Sequence, residues 1–371
     1  MTSIAVRPRA RDLGVVLAGT PGPHDAITDV VGVEVGYATL VEGDDVRTGV
    51  TAVLPLGRDG IGSSCPAGWF SLNGNGEMTG SHWLTETGAL SLPIGITNTH
   101  AVGPVHRGIV EWSIAQRPEL RDRWLLPVVA ETWDGYLNDL NGPAVTAQVA
   151  ARALDAAAGG PIAEGSVGGG TGMNLYGYKG GTGTASREVE VAGETYTVGV
   201  LTQANFGARR ELTIAGRHVG PLLAEDDNPV DDHFAAPPGA GSCIAIVATD
   251  APLLPAQCTA LARRVPLGLA RTGTTGSHWS GDLFLAFSAT NAGALDSDPG
   301  AAAELASLAF VPWGLMDPLY EAVVQAVEET VLNVVVAGEE MVGRGGHRSP
   351  GFPVDRLPDL LRRTDNNQPP V

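Results

Sequence analysis

The chain has 371 residues, 43% of them hydrophobic and 17% charged, with a formal net charge of −18. That mixture supports a globular core without disulfide staples. A charge of that sign repels phosphate backbones and anionic membrane surfaces, which argues against nucleic-acid and membrane partners, because the arginines are scattered and the chain has a single lysine, Lys179.

The opening stretch, MTSIAVRPRARDLG, lacks the apolar centre of a signal peptide, and no run approaches the roughly 20 apolar residues of a membrane span. A soluble, cytoplasmic protein is expected. Cys65, Cys243 and Cys258 are odd in number and widely spaced, so they read as reduced core residues and not as a disulfide framework or a zinc site. Asn73-Gly74-Asn75-Gly76 is a strong turn signal. Residues 143–158 are alanine-rich and end at Gly159-Gly160, as a helix would. Residues 166–183, SVGGGTGMNLYGYKGGTG, are dense in glycine but contain neither a clean dinucleotide fingerprint nor a phosphate loop. Their glycines are expected to let backbone pass close to other backbone or to a ligand.

Residues 188–191 and 195–203 flank Ala192-Gly193-Glu194 as a hairpin, and residues 212–215 continue the strand-rich region. Residues 226–241, DDNPVDDHFAAPPGAG, can be neither a regular helix nor a central strand. Residues 243–249, CIAIVAT, follow at once as a buried strand, and residues 283–288 form another. Helices are expected over 255–264 and 317–337, the second with Asp317 as N-cap, Pro318 at the first helical position and Gly338 after its end. Its apolar face is Leu319, Val323, Ala326 and Thr330, leaving Glu321, Glu328 and Glu329 to face solvent. Residues 364–371 are polar and proline-rich, a frayed tail. Strands and helices mixed in this order, with no internal repeat, mean a layered α/β or α+β fold.

The chemically unusual junction is Gly241-Ser242. A hydroxyl that follows glycine can attack the preceding carbonyl when the backbone is bent and an oxyanion site is at hand. Cleavage would free an α-amino group with a reference pKa of about 7.7 to 8.0, able to serve the hydroxyl as base. Taken alone, the dipeptide is better explained as an ordinary turn before a strand. The eight histidines are dispersed, and His278, close to Ser280, is the one that a serine–histidine pairing would use. For Lys179, a need for its amine geometry and a structural ion pair explain the residue equally well.

The segments RARDLG, AITDVVGVEVG, VRTGVTAVLP, LNGNGEMTG, LPIGITNTHAVG, ETWDGYLNDLNG, GYKGGTGTASR, GVLTQANFG, GSCIAIVATDAPLLP, LARTGTTGSHWSGDLFLAFSATN and VEETVLN occur in order from about residue 10 to about residue 335. In this the chain resembles the family of L-aminopeptidase/D-amidase-esterases and β-peptidyl aminopeptidases. The resemblance implies a single αββα domain over residues 1–371, two sheets between helix layers in the manner of N-terminal-nucleophile hydrolases, cut into chains 1–241 and 242–371. It implies Ser242 as nucleophile, Ser280 and Asp282 as its support, Asn205 as oxyanion donor, and Glu131 and Tyr136 on the substrate side. Trp133 and Trp279 would narrow the pocket. The implied activity is release of N-terminal amino acids from small peptides, amides or esters by an oligomer of cleaved pairs, with no metal or organic cofactor. The rival functions are an acyltransferase on the same scaffold, like the ornithine acetyltransferases, and an uncleaved binding protein without catalysis. Use of serine where those transferases have threonine favours the hydrolase.

Overall fold

The computed structural model describes residues 8–233, 239–297 and 305–367. Two sheets dominate it. Strands Glu34–Glu42, Val46–Leu54, Ile94–Asn98 and Val128–Thr132 form a four-stranded sheet in that order, the last pair parallel. The second sheet has six strands, in the order Ala89–Leu90, Cys65–Ser71, Ser280–Ser288, Gly241–Thr249, Glu194–Asn205 and Gly181–Val191. Only the Gly241–Thr249 and Ser280–Ser288 strands pair in parallel there.

Side-chain alternation explains why the two sheets stack. Along Gly241–Thr249, Ile244, Ile246 and Ala248 enter the core shared with Val35, Val53, Ile94, Ile96 and Val128 of the smaller sheet. Cys243, Ala245 and Val247 point the other way, into a core with Cys258, Leu261, Val265, Leu319 and Val323. A strand buried on both faces reads as a continuous apolar run, which is what CIAIVAT is. The outer face of the smaller sheet is covered in turn by helices Val102–Gln116 and Ala147–Asp155, through Val105, Ile109, Val149, Ala153 and Leu154. The layers run helix, sheet, sheet, helix, as expected. All three cysteines are buried and unpaired. Among the described residues no helix is long and apolar enough to cross a membrane.

The hairpin is longer than its sequence signal. Gly181–Val191 pairs with Glu194–Asn205 around Ala192 and Gly193, at φ 56° and 86°, the two positive values of a type I′ turn. Its first strand begins in the glycine-dense segment, where glycine permits close packing: a Cβ on Gly183 would lie 2.3 Å from the Thr330 carbonyl oxygen of the long helix. The helix expected over 143–158 is shorter, because Thr146 caps it by accepting from the Val149 amide. That over 255–264 spans Pro255–Ala262. Residues 212–215 contribute only Thr213–Ile214, which pairs with Arg217–His218 outside the main sheets.

Four other expectations are corrected. The 226–241 stretch contains a short helix, Pro229–His233, started by Asn228 accepting from the Asp231 amide; residues 234–238 lie outside the described residues. The tail is helical over Leu357–Asn367, and residues 368–371 lie outside the description. In the long helix Asp317–Ala337, Asp317 is the first helical residue and makes no cap bond, and Pro318 is the second. Glu328 and Glu329 of that helix are buried. Glu329 accepts from Arg11 Nε at 2.7 Å and pairs with Arg187, itself buried, at 2.5 Å. Burial alone would raise its pKa, but the Arg11 hydrogen bond and the Arg187 charge outweigh it and hold it below the usual range. Helical periodicity could not show this, because the two arginines come from distant segments. They tie the start of the chain and the Gly181–Val191 strand to the helix.

Replacing Glu329 by Gln leaves the Arg187 guanidinium buried without its main counter-charge. Urea unfolding is expected to show a loss of about 3–5 kcal/mol.

Candidate active site

The ends of strands from both sheets meet at one place. Ser242 is the second residue of its strand and lies opposite Asn205, the last residue of the neighbouring antiparallel strand, and beside Gly281 on the parallel one. Even-numbered residues of this strand face the smaller sheet, so the Ser242 side chain does too. There it accepts a hydrogen bond on Oγ from the Trp133 amide at 3.1 Å, just past the end of Val128–Thr132. Ser242 is 2% exposed. The preceding residue must be glycine: a Cβ on Gly241 would fall 1.8 Å from the Asn205 carbonyl oxygen.

Asn205 is clamped on both sides. Its Oδ1 accepts from the Asn174 amide at 2.8 Å, and its Nδ2 donates to the Trp133 carbonyl at 2.9 Å. These partners fix which end of the side chain is oxygen, and one Nδ2 hydrogen remains. Glu131 is also buried, accepting from the Glu77 amide at 3.0 Å and from the Thr99 hydroxyl. Burial raises its pKa against these two bonds. No arginine or lysine pairs with it among the described residues. Glu131, Trp133, Asn174, Asn205, Ser242 and Trp279 line one cavity of about 350 Å³, whose wall also includes Phe206, Val230 and the backbone of residues 239–241.

Ser280 and Asp282 are buried beside Ser242 but do not line this cavity. The Ser280 hydroxyl donates to Asp282 Oδ1 at 2.7 Å, and Asn73 Nδ2 donates to Oδ2 at 2.7 Å. In their strand Leu283 and Leu285 face the smaller sheet while Phe284 and Ala286 face the helices. By the same alternation Ser280 and Asp282 belong to the helix side. They therefore stand next to the main chain of residues 241–243, on the other face of the sheet from the Ser242 hydroxyl.

Tyr136 does not line this cavity either. Its hydroxyl lies 3.0 Å from the Arg348 carbonyl and 3.2 Å from that of Pro229, and its ring stacks on His347 at 4.9 Å. It anchors the short helix that brings Val230 to the cavity. Trp133 and Trp279 line the cavity as expected, whereas His278 is exposed and packs edge-on to Trp279. Lys179 is wholly buried without a carboxylate partner among the described residues, so the ion-pair explanation fails. Sequence analysis missed Asn174 and Thr99, which act through a backbone amide and a hydroxyl. It gave Asn73 no role beyond the turn, although the turn delivers its amide to Asp282.

Comparison with known proteins agrees with this architecture. The profile of peptidase family S58 matches residues 25–349, and the chain belongs to that family. Its relatives include the β-peptidyl aminopeptidase BapA of Sphingosinicella microcystinivorans, 46% identical over 96% of this chain and 92% of that one. A second, from Sphingosinicella xenopeptidilytica, is 44% identical over 97% and 92%. Among solved structures, the L-aminopeptidase D-Ala-esterase/amidase of Ochrobactrum anthropi, described as a variant of the Ntn hydrolase fold, superposes with a TM-score of 0.90 at 42% identity over 96% of this chain and 99% of that one. A Burkholderia sp. β-aminopeptidase gives 0.88 at 43% identity over 98% and 100%. The expectation of an aminopeptidase or amidase-esterase with an N-terminal-nucleophile fold stands.

Asp134, one residue past Trp133, is fully buried and accepts from Asn138 Nδ2 at 3.1 Å. Burial pushes its carboxyl up to about 7. Because this lies above the unfolded value of about 3.9, the folded state holds the extra proton between about pH 4 and 7, and stability falls as pH rises through that window. Asp134→Asn removes the dependence. Its stability advantage over wild type is expected to grow by roughly 3 kcal/mol from pH 5 to pH 8, read from urea midpoints at each pH.

Proposed function

We propose that the chain is an autoprocessing serine aminopeptidase, cut before Ser242 into segments 1–241 and 242–371, that releases N-terminal residues from small peptides, amides or esters. The observation that carries this is one cavity presenting a serine hydroxyl, a doubly clamped carboxamide and a buried carboxylate that no arginine or lysine pairs with among the described residues, with residues 239–241 of the chain already in its wall. In the uncut chain Ser242 Oγ attacks the Gly241 carbonyl carbon. The hydroxyl proton passes to the departing nitrogen of residue 242, and water hydrolyses the resulting ester to leave a carboxylate on Gly241 and a free amine on Ser242.

In turnover that amine takes the hydroxyl proton as Oγ attacks the substrate carbonyl. It then delivers the proton to the leaving amine or alcohol, and water releases the acyl group. The free Nδ2 hydrogen of Asn205 steadies the oxyanion. The Ser280–Asp282 pair, set beside the backbone of residue 242, orients the new amine. Glu131 receives the substrate's cationic amine by a charge-assisted hydrogen bond, and Trp133 and Trp279 limit the size of the residue released. The relatives' names support this substrate class. A cytoplasmic homo-oligomer of cleaved pairs completes the proposal, checked by size-exclusion chromatography with light scattering.

Intact mass spectrometry of the wild type is expected to give fragments 1–241 and 242–371, and Ser242→Ala a single chain without turnover of aminoacyl amides. An uncut, inactive wild type would sink the proposal. Asn205→Ala is expected to lower kcat by about a hundredfold to a thousandfold, measured per cleaved chain.

A further inference from the structure

We propose that Lys179 is a positioning residue for the oxyanion donor, holding the 173–174 peptide so that the Asn205 carboxamide stays aimed at Ser242. The inference rests on Asn205 serving as that donor.

A wholly buried lysine calls for a reason, because desolvation penalises its charged form. Burial lowers the Lys179 pKa to about 7. An apolar side chain of the same length would fill the space without that cost. Lys179 Nζ makes two hydrogen bonds, donating to the Met173 and Gly180 carbonyls, each at 2.9 Å. Both main-chain groups belong to a tight local hairpin. Lys179 pairs with Asn174 across it, and the Gly180 amide donates to the same Met173 carbonyl at 2.8 Å.

The Met173 carbonyl and the Asn174 amide are the two ends of one peptide group. Its oxygen is gripped by Lys179, and its N–H grips Asn205 Oδ1 at 2.8 Å. Donation to the oxygen polarises the amide and strengthens its N–H as a donor, the cooperative effect expected in a low-dielectric interior. From Asn205 the network continues through Nδ2 to the Trp133 carbonyl, and the Trp133 amide donates to Ser242 Oγ. Lys179 touches neither substrate nor nucleophile. It fixes the peptide that fixes the carboxamide, and the carboxamide can stabilise charge only if it stays in place as charge develops.

The test is Lys179→Met in the full chain, alone and combined with Asn205→Ala. Cleavage is checked by intact mass, and kcat and KM on a chromogenic aminoacyl amide are normalised to titrated acyl-enzyme. Where a variant stays uncut, the rate of self-cleavage is the readout. Lys179→Met is expected to lower kcat by about tenfold to a hundredfold, with KM changed less than about twofold and the melting temperature unchanged or raised. A role confined to folding would lower the melting temperature and spare kcat. In the Asn205→Ala background the same substitution is expected to change kcat by less than about twofold, since the group it positions is gone.

Undiminished kcat in Lys179→Met, or an equal loss in both backgrounds, would overturn the inference. Should Lys179→Met fail to fold, Lys179→Leu, which likewise has no donor, is taken through the same cycle, and wild-type kcat in that variant has the same meaning. Unimpaired kcat in Asn205→Ala alone would instead remove the oxyanion assignment beneath the inference.

Discussion

The central strands of the larger sheet are buried on both faces, and everything at the candidate site follows from that. A strand with helices on one side and a second sheet on the other has no neutral direction, so each side chain is assigned to one layer or the other by parity. Ile244, Ile246 and Ala248 commit the even positions of the nucleophile strand to the inter-sheet space, and Ser242 inherits their direction. Asn205 shares it with Leu201 on the neighbouring strand. A register slip by one residue would send the serine to the helix side and bring Cys243 into the cavity. The apolar run thus aims a polar residue that it does not touch.

Polar groups at the buried strand ends must then be satisfied locally, because water does not reach them freely. At this site the chain does so largely with main-chain partners. Asn205 is held by an amide and a carbonyl, Glu131 by an amide and a hydroxyl, and Lys179 by two carbonyls. Backbone partners are fixed by the fold and carry no side-chain freedom, so they orient what they bind more firmly than two mobile side chains would.

This also explains which parts were legible in sequence. Apolar runs and turn residues speak locally, so the strand over 243–249, the hairpin around Ala192-Gly193 and the extent of the long helix could be read, as could the layered fold class. Position along a helix says nothing about which distant arginine will arrive, and Glu329 was misread as solvent-facing. Partnership through the backbone has no side-chain signature, so the clamp by Asn174 left no trace in the residue types. The family resemblance brought Ser242, Asn205, Ser280, Asp282 and Glu131 to attention together. It could not tell which face of the sheet Ser280 and Asp282 occupy, a question of strand parity, nor that the Tyr136 hydroxyl is spent on two carbonyls.

The order of strands in the larger sheet has one more consequence. Gly241–Thr249 and Ser280–Ser288, with helices Pro255–Ala262 and Val265–Arg271 between them, follow the Gly241–Ser242 bond, whereas the strands on either side of this pair precede it. A break at that bond would leave two segments that alternate within a single sheet, joined along two full hydrogen-bonded ladders and two cores. Separating them would mean tearing the sheet from within, so the halves would stay together without a covalent link. Refolding would be another matter. A chain that first folded as one molecule would, once cut, have to reassemble from two, and recovery after denaturation would depend on protein concentration. Scission in such a sheet would turn a unimolecular folding reaction into a bimolecular one.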